Sequence, residues 1–273
     1  MNQHRKIKAT RNPYDANYGN FATALYEEIR REAFGEDIGQ NSWLTAEEQD
    51  KFLGWLGLTA GKALLDVACG AGGPTLRMVA LTGCTGIGVD VHKQAISTAR
   101  SLASQRGLRS RTHFRVIDAD KQLPFPEGSF DAITCIDAIN HLSARQRVLA
   151  DWARLLKPGG RVLFTNSTVV TGPLSNAEIA VRSPTGFCLF VPCGYDERII
   201  VQNSLRVIAC EDRTSNMAEI AERRKNARES RSSSLRRVEG DAAYKKQQEF
   251  LSVAAQVAKE GRLSRFVYVA ERV

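Results

Sequence analysis

From position 18 the apolar residues Phe21, Ala22, Leu25 and Ile29 recur every three or four places, which predicts an amphipathic helix running to about residue 32. A loop over 35–44 follows. Thr45 and Glu48 have the spacing of a capping box, ahead of a second helix with Phe52, Leu53 and Leu56 on one side. The period then changes. Ala63, Leu64 and Leu65 make a short apolar run that ends at Asp66 and Val67. A Gly-rich turn comes next, and Pro74 stands where a first helical turn tolerates it. The same strand, loop and helix rhythm repeats as a strand over 85–89, a helix over 93–106 with Ile96, Ala99 and Leu102 inward, and a strand over 112–117. After a turn at 123–128 come a strand over 130–136 and a helix over 144–156, with Ser143 and Gln146 as its expected cap. Lys157-Pro158-Gly159-Gly160 stops that helix, and 161–165 reads as the fifth strand.

Strands alternating with helices through short loops argue for an α/β fold with a doubly wound, mostly parallel sheet. Past the fifth strand the rhythm breaks, and 172–193, with its prolines and glycines, reads as an irregular or lid-like insertion. A sixth strand at 205–210, two charged helices between about 215 and 260, and a closing strand at 265–270 would complete a seven-stranded sheet. No internal repeat is present.

Composition narrows this picture. A chain of 273 residues can bury a substantial core in one domain. Its formal charge of +8 invites a nucleic-acid hypothesis. The excess, however, sits largely in the N-terminal tail and in 213–246, where Arg223, Arg224, Lys225, Arg228, Arg231, Arg236 and Arg237 alternate with Glu219, Glu222, Glu229 and Glu239. That mixture reads as a solvated helix face, so nucleic acid is not expected as a partner. The six cysteines form no C-x-x-C pair and no zinc ligand set, so reduced, mostly buried thiols and no metal are expected. Residues 1–11 are basic without an apolar segment behind them, and no stretch reaches bilayer-spanning length, which places the protein in the cytoplasm without a membrane contact.

The Gly-rich turn carries the chemistry. Glycines there let backbone approach a ligand, and a helix start favours anionic groups. The dinucleotide fingerprint G-x-G-x-x-G is incomplete, because Thr75 follows Gly70 and Gly72 where the third glycine belongs. Asp66 closes the strand four positions before Gly70, and a carboxylate there suits a ligand bearing an ammonium group better than one bearing pyrophosphate.

On these residues the chain resembles the class I, Rossmann-like S-adenosylmethionine methyltransferases, especially the small-molecule group. Asp66 to Gly72 matches the D-x-x-C-G-x-G signature, and Cys69 stands where the family uses cysteine for close packing. Asp90, after Gly86-Ile87-Gly88-Val89, falls where the family's acidic residue binds the ribose hydroxyls. Asp118-Ala119 resembles the pair that reads the adenine amine. The stretches 125–131 and 155–160 look like those leading into the family's fourth and fifth strands, and the flanks at 34–43 and 261–266 carry the likeness further.

The resemblance implies S-adenosyl-L-methionine as cofactor and S-adenosyl-L-homocysteine as product, held by Trp43, Asp66, Ala68, Gly70, Gly72, Asp90, Val91, Asp118, Ala119, Ile136 and His141. His141 and Asp137, just past the fourth strand, are the candidate catalytic groups, His141 having a suitable ordinary pKa for a base. Asn140, Tyr195 and Tyr18 are candidate substrate contacts. The implied division is a flexible basic tail (1–16), N-terminal helices covering the cofactor site (17–58), a cofactor-binding core (59–171), an acceptor-side insertion or lid (172–203) and the C-terminal part of the sheet with charged helices (204–273). Phe187, Leu189, Phe190 and Val191 in the insertion suggest a partly hydrophobic acceptor. The expected reaction is methyl transfer to N or O, with C as a variant, of a small-molecule acceptor, and a homodimer is compatible with it. An RNA methyltransferase and a cofactor-binding protein without catalysis remain as alternatives.

Overall fold

In the computed structural model, residues 14–273 are described. The basic tail expected over 1–16 therefore lies outside the described residues up to position 13. From Tyr14 to Asn20 the chain is helical.

In chain order the elements are α1 (Tyr14–Asn20), α2 (Ala24–Phe34), α3 (Ala46–Leu56), β1 (Ala63–Val67), α4 (Gly73–Thr82), β2 (Thr85–Asp90), α5 (Lys93–Gln105), β3 (Thr112–Val116), β4 (Phe130–Cys135), α6 (Arg145–Leu155) and β5 (Leu156–Val170). Then follow α7 (Asn176–Arg182), β6 (Val191–Pro192), α8 (Tyr195–Gln202), β7 (Leu205–Asp212), α9 (Thr214–Glu229), α10 (Ser232–Glu239), α11 (Asp241–Lys259) and β8 (Leu263–Arg272). Seven strands lie in the order β3-β2-β1-β4-β5-β8-β7, with the two-residue β6 paired to β5. β1 to β5 run parallel, and β8 runs antiparallel between β5 and β7. The expected doubly wound, mostly parallel sheet is thus present. The order reverses at β1, whose neighbours are β2 and β4, and a parallel sheet opens a crevice at the carboxyl ends of such a pair.

The strand period of two divides the core. Leu64, Ala132 and Leu163 face one layer with Leu76, Ile96, Ala99 and Phe52. Their successors or predecessors Leu65, Ile133 and Val162 face the other, with Trp152, Leu149 and Ile200. Strands buried on both faces explain why β1 reads as a continuous apolar run.

Local details depart from the sequence reading. The single helix expected from 18 to 32 is two, α1 and α2, broken at Phe21 to Thr23. Thr45 caps α3 by accepting from the Glu48 amide at 3.1 Å, but the Glu48 carboxylate turns to Arg265 instead of closing the box. Ser143 does not cap α6: its amide and hydroxyl both bond Asp120. The Lys157 to Gly160 turn is absorbed into β5 as a register shift between Phe130 and Ala132 of the partner strand. The stretch 172–193 expected to be irregular is so in large part, with α7 and the two-residue β6 set into it and α8 following, and three helices, not two, separate β7 from β8. Cys69, Cys84 and Cys135 are buried as expected, whereas Cys188 is half-buried and Cys193 and Cys210 are exposed.

The charged helices are not simply solvated. Met217, Ile220 and Ala221 of α9 and Leu251 and Ala254 of α11 bury against Ala33, Phe34 and Trp43. A second cluster joins Tyr26 and Ile29 of α2 to Ala227, Leu235 and Tyr244. Arg228, four residues after Arg224, is itself buried and forms a two-pronged pair with Glu239, at 2.7 and 3.1 Å. N-terminal and C-terminal helices therefore make one cap beside the crevice.

Candidate active site

At the end of β1 the backbone turns sharply. Ala68 adopts φ 57°, and Gly70 and Gly72 have φ of 56° and 76°. A left-handed alanine is strained, and such positions cluster at functional sites. At the end of β4 the same holds for Asp137, φ 52°. Both strained residues lie on the rim of the crevice.

Asp90, ending β2, reaches across this turn. Its Oδ2 accepts from the Gly70 amide at 2.9 Å and its Oδ1 from the His92 amide at 2.8 Å. Burial pushes its pKa up and these amides oppose the shift. Asp66 lies deeper, taking hydroxyl donation from Thr75 and from Thr134, and burial raises its pKa to about 6. On the far side Asp118 is partly exposed, accepting from the Asp120 amide at 3.0 Å.

A cavity of about 450 Å³ opens between these groups, within the range of small-ligand sites. It brings together Asp66, Ala68, Gly70, Asp90, Val91, Asp118, Ala119, Ile136, Asp137, His141 and Tyr18 of the expected set. Tyr18 had been expected on the acceptor side. Its hydroxyl instead stands over the glycine turn, only 2.8 Å from where a Gly70 Cβ would be, and its ring lies 4.7 Å from that of His92. Gly72 does not line the cavity: a Cβ there would lie 2.8 Å from both Ala99 Cβ and Phe114 Cε1, so its lack of a side chain serves helix packing. Tyr195 is also elsewhere. It packs on the core layer under α6, and the next residue, Asp196, is locked to Arg145 at 2.7 Å and Asn166 at 2.7 Å.

A smaller cavity of about 80 Å³ adjoins the first, and Tyr14, Asn41, Ser42, Asp137 and His141 line both. Trp43 and Asn140 line this second chamber, together with Arg182 from α7, Arg224 from α9 and Phe250 from α11. Asp137 is no free base. Its Oδ1 accepts from Arg265 Nε at 2.7 Å and Thr165 Oγ1 at 2.8 Å, and its Oδ2 from the Trp43 amide at 3.0 Å. Those three donors occupy both carboxylate oxygens beside a strained backbone, an arrangement that suits positioning better than the expected catalytic role. His141 does suit a proton-accepting role. Burial lowers its pKa, partly offset by a backbone hydrogen bond at Phe187, and Nε2 lies 3.1 Å from the Tyr14 hydroxyl. Burial pushes the Tyr14 phenol up to about 12.

Tyr14, Arg182, Arg224 and Arg265 were missed in the sequence. A signal existed for two of them: Tyr14 repeats Tyr18 at helical spacing, and Arg224 shares the i, i+4 face of Ile220 with Arg228.

Against known proteins, a family model described as a methyltransferase domain matches residues 65–164, the span from β1 to β5. The chain carries a methyltransferase domain. The sheet order and the crevice at β1 give this domain the class I, Rossmann-like form. A 27-O-demethylrifamycin SV methyltransferase from Amycolatopsis mediterranei is 30% identical over 175 residues, 61% of this chain and 62% of that protein. The alignment thus spans less than two thirds of that relative. Among solved structures, Haemonchus contortus phosphoethanolamine N-methyltransferase 2 superposes with a TM-score of 0.77 at 22% identity, covering 93% of this chain and 59% of that one. The [4+2]-cyclase SpnF superposes with a TM-score of 0.73 at 20% identity over 96% of both chains, so the methyltransferase domain shares its fold with a protein named for a different reaction.

Proposed function

We propose that this protein is an S-adenosylmethionine-dependent methyltransferase that transfers a methyl group to nitrogen or oxygen, with carbon as a variant, of a small-molecule acceptor. The observation that carries the reading is the Asp90 carboxylate at the end of β2, bonded to the Gly70 amide of the glycine turn and facing the 450 Å³ cavity. The residues fit the cofactor. The Asp90 carboxylate, held by backbone amides on the protein side, faces the cavity as an acceptor for a vicinal diol. Asp118 with Ala119 offers a partly exposed edge for an adenine amine, and Asp66 a buried carboxylate for an ammonium group.

When bound, the cofactor supplies an electrophilic methyl on a sulfonium, whose charge is lost as the methyl passes in line to the acceptor. The protein's part is chiefly placement. The strained turns at Ala68 and Asp137 hold the two rims of the crevice, and Asp137 ties Trp43 to β4. For a hydroxyl or ammonium acceptor a proton must leave. The Tyr14 oxygen receives it while its own proton passes to His141 Nε2, which burial keeps neutral and receptive.

A concave, two-chambered site favours a small acceptor over RNA, and the segment after β4, Ile136-Asp137-Ala138-Ile139, lacks the proline pair of amino methyltransferases acting on nucleic-acid bases. Among the described residues no helix is long and apolar enough to cross a membrane, and no group of three His, Cys, Asp or Glu is placed to hold a metal. The cytoplasm is the compartment this reading assigns, and a homodimer is compatible with it.

Incubating the full chain with labelled cofactor and fractionated metabolite pools tests the activity. Label in a small product supports it. Tight cofactor binding with no product in any pool would favour a cofactor-binding protein without methyl transfer, and label in RNA the nucleic-acid alternative.

A further inference from the structure

The smaller chamber is built around two guanidiniums that have little to hold. Arg182 is 4% exposed, its Nε and Nη1 have no partner among the described residues, and Nη2 makes only a long contact of 3.4 Å with the Ser167 carbonyl. Arg224 reaches the Ser42 carbonyl at 3.3 Å through one nitrogen. The rings of Trp43 and Phe250 lie 5.7 and 4.6 Å from the Arg182 carbon, and those of Phe34 and Trp43 lie 5.8 and 5.5 Å from that of Arg224. Aromatic faces soften the loss of water around a cation without replacing its hydrogen bonds.

The chamber's charge is not balanced from within. Among its described lining residues the one carboxylate is Asp137, and that group already accepts from Arg265, Thr165 and Trp43. Arg265 also bonds Glu48 at 2.7 Å; Arg213 lies 3.8 Å from Glu48 and 2.6 Å from Glu211, which Lys51 also pairs at 2.7 Å, so Asp137, Glu48 and Glu211 offset Arg265, Arg213 and Lys51. Arg182 and Arg224 are left over. Burial lowers the pKa of both, that of Arg224 to about 10, and both stay charged at neutral pH. Arg182 is a buried cation without a partner, which is costly, while Arg224 beside it is half-buried; other pairs in this protein show that the fold can supply a partner, as Glu239 does for Arg228.

We infer that the methyl acceptor carries an anionic oxygen group, a phosphate or a carboxylate, which enters the smaller chamber and takes hydrogen bonds from Arg182 and Arg224. The inference rests on the methyltransferase reading and deepens it. The two chambers meet at Tyr14 and His141, so an acceptor anchored by its anion presents its nucleophile at the proton-accepting pair. This adds an anionic anchor to the partly hydrophobic acceptor suggested by Phe187, Leu189, Phe190 and Val191. Phe187 lines the larger cavity and is 44% exposed, while the insertion contributes the cation Arg182 and Pro184 to the smaller chamber.

The test uses the full chain saturated with S-adenosylhomocysteine and titrated calorimetrically with phenyl phosphate, benzoate and the uncharged benzyl alcohol. At least one anion should bind about tenfold or more tightly than the alcohol, as charge-assisted bonding requires. Whichever anion is preferred separates a phosphate from a carboxylate acceptor. R182M and R224M should each weaken that anion about tenfold, while S-adenosylhomocysteine affinity, which reports an intact fold, stays within about twofold. Benzyl alcohol binding as well as both anions, no anion binding to the loaded chain, or undiminished anion binding in both variants would overturn the inference. Failure of the unmodified chain to bind S-adenosylhomocysteine would instead remove the cofactor reading on which it stands.

Discussion

The Tyr14 hydroxyl and His141 Nε2 are 3.1 Å apart, with their rings edge-on at 6.0 Å, where the two chambers of the site meet. Both groups are neutral near pH 7, because burial moves the phenol up to about 12 and the imidazole below its ordinary 6.5. Neither residue is sequence-adjacent to the glycine turn, yet both face the cavity it floors.

If this pair accepts the proton, H141Q and Y14F each lower kcat by about a hundredfold or more. Because the folded pKa of His141 is depressed, the receptive neutral form persists from neutral pH down through 6.5. Activity therefore declines on an acid limb below that value, and H141Q abolishes the limb. A pH profile of kcat/KM with the same acid limb in H141Q would exclude the role.

Asp66 should cost the ligand-free protein stability. Its folded pKa is raised to about 6 from 3.8, so its favourable contribution is complete below 3.8 and is lost as the pH rises through 6. The shift corresponds to about 3 kcal/mol as an upper bound. D66N should unfold at a higher urea midpoint than the parent at pH 8, lose that advantage near pH 4, and bind S-adenosylhomocysteine more weakly.

Arg265 is fully buried between Glu48 and Asp137, and removing it strands two acids. R265M should lower the stability of the chain by about 3–5 kcal/mol in urea unfolding. A loss below about 1 kcal/mol would mean that the pair contributes no more than a surface one.

The two glycines of the turn should respond differently. G72A pushes a methyl into Ala99 and Phe114 in a left-handed backbone and should cost about 1–3 kcal/mol with little change in cofactor affinity. G70A meets the Tyr18 hydroxyl on the cavity side, so its larger effect should be on S-adenosylhomocysteine binding.

The cofactor side was legible because its residues are local to strand ends. Asp66, Gly70, Asp90 and Asp118 lie at or just past the carboxyl ends of β1, β2 and β3, so period and spacing locate them together. The acceptor side draws on α1, α7, α9 and α11, which converge only through tertiary packing. Charge interleaving in 213–246 looked like a solvated face because Arg223 and Lys225 flank Arg224, and composition does not tell which of three neighbouring cations turns inward. The partners of Asp137 were hidden for a related reason. Its position past β4 is a catalytic one by spacing, but its partner Arg265 lies 128 residues away.

The central claim is that Asp90 and the glycine turn hold S-adenosylmethionine. Calorimetry of the full chain with S-adenosylhomocysteine tests it most directly. Saturable binding at one site per chain, weakened about tenfold or more in D90A, is the predicted result. No binding by the folded protein, or unchanged affinity in D90A, would contradict it.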